Sequence, residues 1–389
     1  MKTLTTNQSL RLSLDFLLND CYSDILSKNH IFFITHKIWS ETRKSNQYSN
    51  ITKRTLQYLG QRFKDDTGKR QWRYKHILDL LTEKGIIEIN DKYSTGRFSK
   101  GYRLTEEFIM LLNKYDNELL TLDVSDSTYD LLIGNCPKPT HPELLLHWES
   151  LHKIEIDLQK AFLAIDDLKK TNPQRATRAF KDVINFLNKR FHVSRKKETG
   201  RVTSLFNLCV KEIRECFTYQ GEQIVELDLK SSQPYFYANE LVKYNPTSKD
   251  VQRFYDIVVK EDVYEYIGTR IGITERKKIK EEFYSYMYKT KVYKSDMLKP
   301  KVQTVIEKEF PEVHTIMDNL CKDETPLWLR MQKQEADIFV GSVNNFLSKG
   351  KIALSVHDAI AFPKSMRKSV MYQLKARFSK ANLINYTLK

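Results

Sequence analysis

The stretch "LSVHDAIAF", residues 354 to 362, places a polar pair, His357 and Asp358, inside an apolar run. Apolar and small residues on either side predict two short buried strands joined by a turn at that pair. A second aspartate, Asp228, stands in a comparable setting in "QIVELDLKSSQPYFYANEL", residues 223 to 241. Ile224, Val225, Leu227 and Leu229 describe a mostly buried strand, and "SSQPYF" opens a helix with Pro234 in its first turn. One such aspartate alone is ordinarily a strand-end cap or half of a buried ion pair. Two of them, from strands far apart in sequence, can also converge on a pair of Mg²⁺ ions about 3.5 to 4 Å apart, which activates a 3′-hydroxyl and stabilises a leaving pyrophosphate.

Between the two aspartates lies "TERKKIKEEFYSYMYK", residues 274 to 289, a predicted helix with Thr274 as its N-cap. Arg276, Lys280, Tyr284 and Tyr288 recur every fourth residue, and each step advances only about 40° around a helix, so they form one slowly drifting stripe. Alone, such a stripe reads as a solvated charged face with aromatics turned to the core. Beside two carboxylates it can grip a triphosphate through Arg276 and Lys280 while Tyr284 packs on the sugar or base of an incoming nucleotide.

The chain as a whole suits a polyanionic partner. Its 389 residues carry 64 Lys and Arg against 49 Asp and Glu, a formal charge of +15, with 21 Tyr and 20 Phe available for stacking on bases. A hydrophobic share of 41% supports a core in two or three domains and excludes a disordered chain. The five cysteines, Cys21, Cys136, Cys209, Cys216 and Cys321, are scattered without zinc-ligand spacing and read as reduced thiols of a cytoplasmic protein. No apolar run approaches the ~20 residues of a membrane span, and the N-terminal stretch lacks the apolar core of a signal peptide.

Toward the N-terminus, "RYKHILDLLTEKGIIEINDKYSTGRFSKGYRLT", residues 73 to 105, carries a helical period at Ile77, Leu80 and Leu81 that breaks at Gly85. Two strands, "IIEI" and "YRL", follow around a basic loop. Helix, strand, basic loop, strand is the order of a winged-helix module, in which Arg73, Lys75, Arg97 and Lys100 would meet a nucleic-acid backbone. The same order also serves protein contacts. Residues 115 to 145 form a turn-rich junction, and residues 145 to 192 read as helices.

Taken in order, these segments resemble the family A nucleic acid polymerases, which include DNA polymerase I-like enzymes and phage single-subunit RNA polymerases. Asp228 with its apolar approach resembles motif A, the Arg276, Lys280, Tyr284, Tyr288 spacing resembles motif B, and "VHD" resembles motif C. "TGR" at residues 199 to 201 and "IR" ending at Arg214 are similar to segments before motif A, which implies that Arg201 and Arg214 contact the primer-template. "MQKQEADIF", residues 331 to 339, is similar to the helix that carries a glutamine near the template, implying that role for Gln332. The resemblance spans about residues 195 to 362, and the joint order of its short motifs makes it specific.

It implies an α+β fold: a right-hand palm and fingers with an antiparallel palm sheet and a helical thumb-like region, preceded by a winged-helix-like domain. The expected boundaries are residues 1–125 for the winged-helix-like domain, 126–220 for the linker and thumb-like region, and 221–389 for the palm and fingers. The implied metal ligands are Asp228 and Asp358, holding two Mg²⁺ or, in their place, Mn²⁺; His357 would lie at the primer end. Two positions depart from the pattern. Ala359 stands where the DNA polymerases have a second acidic residue after the motif C aspartate, and Gln233 stands where they have a glutamate that crowds a ribose 2′-hydroxyl.

The leading expectation is a template-directed DNA polymerase of a phage or mobile element, using a DNA primer-template and nucleoside triphosphates and lacking a proofreading exonuclease. Gln233 keeps a ribonucleotide-using polymerase or primase open, since a neutral amide can bond a 2′-hydroxyl, and RNA remains a possible partner. A third reading is a catalytically idle DNA-binding initiator or regulator, against which the presence of Asp228, Asp358, Arg276 and Lys280 together counts.

Overall fold

The computed structural model describes residues 1–18, 25–41, 48–60, 62–64, 68–90, 100–112, 118–133, 136–288, 300–320 and 323–389. It divides into two compact units: the first takes in residues 1–138, 154–192 and 208–221, the second residues 139–153, 193–207 and 222–389.

In the first unit, strand β1 (Lys2–Asn7) leads into helices α1 (Gln8–Leu18) and α2 (Ile25–Glu41). Next come β2 (Ser49–Asn50), α3 (Lys53–Gly60), the hairpin β3 (Arg62–Lys64) and β4 (Arg70–Trp72), helix α4 (Arg73–Glu83), and strands β5 (Ile87–Asn90) and β6 (Gly101–Leu104). The expected helical period is present in α4, though it is Tyr74, Ile77, Leu78 and Leu81 that are buried, with Leu80 only half-buried. Gly85 ends this helix in the left-handed region (φ +65°), which costs glycine nothing sterically. Strands β2, β6 and β5 then form a small antiparallel sheet in that order. Helices α3 and α4 meet at Gly60, where an added Cβ would lie 2.5 Å from the Tyr74 Cβ, so no larger residue fits.

The first unit continues with α5 (Glu106–Leu112), β7 (Leu119–Val124) and α6 (Asp126–Ile133), and β7 pairs antiparallel with β1 along its whole length. After α7 (Pro142–Leu151), which belongs to the second unit, the chain returns through β8 (Glu155–Ile156), α8 (Leu158–Thr171) and α9 (Pro173–Leu187). Asn172 caps α9 by accepting from the Arg175 N–H at 3.0 Å, with Pro173 in the first helical position. Asn188 ties this helix to β1: its side chain accepts from Thr5 N–H and donates to Thr5 O.

The second unit carries both aspartates and the stripe between them. Hairpin strands β9 (Val193–Arg195) and β10 (Val202–Ser204) precede α10 (Leu205–Leu208); α11 (Lys211–Arg214) and β11 (Phe217–Tyr219) then complete the first unit. Strand β12 (Glu222–Asp228) follows, then helices α12 (Ser232–Tyr244), α13 (Lys249–Lys260), α14 (Val263–Ile271), α15 (Arg276–Met287), α16 (Lys301–Glu309), α17 (Pro311–Leu320) and α18 (Leu327–Leu347). Strands β13 (Leu354–Val356) and β14 (Ala359–Pro363) and helix α19 (Arg367–Lys380) close the unit. Strand β14 lies between β13 and β12, antiparallel to both.

All five residues of β14 are buried, which is why "AIAFP" reads as an unbroken apolar run rather than an alternating one. Helices α12 to α19 pack their apolar faces into one core with Phe236, Tyr237, Phe254, Phe283, Phe310 and Phe339 at its centre. Several of these rings meet edge to face, as Tyr237 and Phe254 do at 5.8 Å. Each buried ring contributes about 1.5 to 3 kcal/mol of transfer free energy. Helix α7 joins the same unit through a hydrogen bond between His147 Nε2 and Asn344 Oδ1 at 2.8 Å and an ion pair between Glu143 and Arg195 at 2.8 Å. The molecule is thus a mixture of α-helices and antiparallel sheets, and among the described residues no helix is long and apolar enough to cross a membrane.

Candidate active site

The two aspartates are brought together by strand pairing. Asp228, the last residue of β12, faces Ala359 across the ladder, so Asp358 is its diagonal neighbour on the turn entering β14. The Leu229 N–H donates to the Asp358 carbonyl at 3.3 Å. His357 takes a left-handed φ of +47° to make the two-residue turn, as the opening stretch predicts, and Ser231 does the same (φ +52°) where the chain turns from β12 into α12. Non-glycine residues in this region store strain that the surrounding packing must hold.

Burial pushes the Asp228 carboxyl up to about 6, and the negative charge of Asp358 adds to the rise; Lys389 opposes it. Asp358 is also raised, again chiefly by burial, with its own backbone amide, His357 and Arg201 pulling the other way. Two half-desolvated carboxylates that resist joint ionisation attract a cation that can neutralise both. Among the described residues no group of three or more His, Cys, Asp or Glu side chains gathers as a metal site. Mg²⁺ nevertheless fits this pair, because it typically takes one or two protein carboxylates and completes its shell with water and substrate phosphates.

A further residue at this point came without a sequence signal. Lys389 pairs with Asp228 through two backbone hydrogen bonds of 2.9 Å and places its Nζ 3.8 Å from the Asp228 carboxylate. Leu388 bridges to Leu229 beside it. The polar segment "INYTLK" has no period or turn chemistry that would foretell this pairing.

Helix α15 presents the stripe. It begins one residue later than expected: Glu275, not Thr274, is the N-cap, and it makes no side-chain cap bond. Arg276 pairs with Asp262 at 2.8 Å and lies 5.0 Å from the Tyr264 ring centroid, while Lys280 Nζ lies 5.3 Å from the same ring. Tyr284 and Tyr288 stack with centroids 5.7 Å apart and planes 14° from parallel. The stripe therefore divides into a cationic half gathered on Tyr264 and an aromatic half. Tyr288, at the C-cap, is pushed up to about 12, chiefly by burial.

The aromatic half runs into a buried polar cluster. Tyr288 Oη donates to Gln233 Oε1 at 2.7 Å, and Gln233 Nε2 donates to Glu335 Oε2. Glu335, on α18, is fully buried; it also accepts from Arg201 Nε at 2.8 Å and from Ser232 Oγ at 3.3 Å. Gln332, one turn earlier on α18, lies near enough to the Tyr288 hydroxyl to oppose the rise that burial causes. Burial raises the Glu335 carboxyl to about 7, with Arg201 as the main opposing influence. No motif singles out Glu335, yet the sequence carries a trace of it. Met331, Glu335 and Phe339 recur at helical spacing and all three are buried, so an acidic residue occupies a core position of the repeat.

The remaining expected residues lie elsewhere. Arg214 is in the first unit, on α11, where it donates to the Cys209 carbonyl at 2.9 Å. Arg73 is half-buried at the start of α4, Lys75 and Lys100 are exposed, and Arg97 lies outside the described residues.

No family model matches the chain, and no curated protein matches it. Among solved structures it is similar to the POL domain of Pol1 from M. smegmatis, solved in complex with DNA primer-template and dNTP, at 13% sequence identity and a TM-score of 0.39. The match covers 58% of this chain and 54% of that one, so the chain matches about half of that structure's length.

Proposed function

We propose that the protein is a template-directed DNA polymerase that transfers nucleotides by a two-metal mechanism of the family A kind. The observation that carries this reading is the pair Asp228 and Asp358, delivered to one point by the β12–β14 ladder, with their carboxyls raised by burial and, at Asp228, by the neighbouring charge. Bound Mg²⁺ would supply the Lewis acid that activates a primer 3′-hydroxyl and neutralises the departing pyrophosphate.

The chain's own residues do the rest. Asp228 and Asp358 hold the cations. Arg276 and Lys280 offer positive charge to the triphosphate, Arg276 exchanging its exposed ion pair with Asp262 for phosphate oxygens. Tyr284 and Tyr288 present a stacked aromatic face to the nucleotide. The palm and fingers of this reading lie in the second unit. In the first unit, α3, α4 and the β2–β6–β5 sheet serve as a winged-helix-like module that grips nucleic acid through Arg73, Lys75, Arg97 and Lys100.

Extension of a labelled primer on a DNA template with Mg²⁺ and dNTPs tests the proposal, with Asp358→Asn as control. Template-dependent extension by the wild type and none by the variant is the expected result. Tight DNA binding with no extension by the wild type would transfer the assignment to a DNA-binding initiator or regulator.

A further inference from the structure

Glu335 is a fully buried carboxylate at the centre of an apolar helix face, between Met331 and Phe339. An acidic side chain is kept in such a place only when its lone pairs are satisfied. Here its hydrogen-bond partners are Arg201, Ser232 and Gln233. Arg201 extends the contact further, because its charge also acts on Asp358.

The chemistry of a carboxylate gives this cluster a direction. An ionised Glu335 only accepts, so the amide nitrogen of Gln233 must face it, and the amide oxygen is thereby turned to Tyr288. Tyr288 must then donate its single hydroxyl proton to that oxygen. The Ser232 and Tyr288 protons and the Gln233 amide are therefore engaged within the cluster before any substrate arrives.

We propose that Glu335 is the positioning residue for sugar selection: by orienting the Gln233 amide and committing the Tyr288 hydroxyl, it closes the site to a ribose 2′-hydroxyl and favours deoxynucleotides. The inference rests on the polymerase reading. In any nucleotide the group next to the α-phosphate is the sugar, so with a cation at Asp228 and Asp358 to hold the phosphates, the adjoining first turn of α12 would face the sugar. A 2′-hydroxyl pressed against that wall gives up water and finds the Tyr288 proton and the Gln233 amide oxygen already paired with each other. Without Glu335 the Gln233 amide is free to turn and bond that hydroxyl.

The test compares kcat/KM for dNTPs and rNTPs on one primer-template across the wild type, Glu335→Gln, Tyr288→Phe and the double variant Gln233→Glu with Glu335→Gln. Glu335→Gln keeps the volume but removes the one-way acceptor, and Tyr288→Phe frees the Gln233 oxygen with Glu335 intact. Each single variant is expected to lower the dNTP preference by about tenfold or more. The double variant returns a carboxylate to the pair from the opposite side and is expected to restore most of the preference. Equal losses with both sugars in the single variants, the mark of a packing role, would overturn the inference, as would a double variant no more selective than Glu335→Gln. Extension by the wild type with either of these results overturns this inference alone. Failure of the wild type to extend with either sugar overturns the polymerase reading and this inference together.

Discussion

Asp358→Asn should remove activity and yet make the metal-free protein slightly more stable. The carboxyl of Asp228 rises from 3.8 to about 6, which at full burial corresponds to about 3 kcal/mol against its ionised form. Burial is the larger cause and the charge of Asp358 the second; with 38% of the Asp228 side chain exposed, solvent screening leaves the contribution of Asp358 at about 1 kcal/mol or less. Asparagine keeps the shape and removes the repulsion. In chelator at pH 7.5 the variant should therefore melt about 2 °C higher than the wild type. Added Mg²⁺ should raise the wild-type midpoint and leave the variant unmoved, because a ligand stabilises only the state that binds it. The sign with pH follows. A carboxyl whose folded pKa lies above its unfolded value takes up a proton on folding as pH falls through about 6. Wild-type stability thus gains on that descent and the gap to the variant narrows by pH 5. A variant that melts several degrees lower in chelator would show the Asp358 carboxylate to be a structural anchor and would refute this account of the pair.

Other consequences can be measured separately. His36 is buried with its pKa depressed to about 3 by desolvation, so its contribution to stability is present above pH 6.5 and is lost as pH falls toward 3. That loss has a ceiling of about 4 to 5 kcal/mol, and acid unfolding followed by the fluorescence of Trp39, whose ring lies 5.6 Å from His36, should show it. Removing the cationic half of the stripe with Arg276→Ala and Lys280→Ala should raise KM for dNTPs by about tenfold each while DNA affinity stays level, since the lost groups meet the nucleotide. Lys75→Ala and Lys100→Ala should weaken DNA binding evenly across sequences, and a titration against salt should show the slope of log K reduced by about one per cation removed.

Several local features of the site could be read directly. The turn at His357 and Asp358, the strand ending at Asp228 and the helix opening at Ser232 are local events, set by apolar runs, turn chemistry and a proline in a first turn. The stripe on α15 followed from helical period alone, although the cap fell on Glu275 because no side chain there bonds the free amides and the boundary is set only by backbone geometry. Its division into two halves was not readable, since Tyr264 and Asp262, which gather Arg276 and Lys280, come from the preceding helix α14 and the residue that caps it.

What the amino-acid order determines by itself, then, is which segments become strands and helices and which of their ends carry charge, because those depend on neighbours a few residues away. Which charges meet is decided by packing. Gln233 looks like an isolated amide until α18 sets Glu335 against it, and the partners are 102 residues apart. Lys389 has no local reason to approach Asp228 until its backbone bonds the Asp228 N–H and C=O, which the ladder with β14 does not use. A buried carboxylate and an open strand edge each demand a partner, and only the folded core determines which residue supplies it.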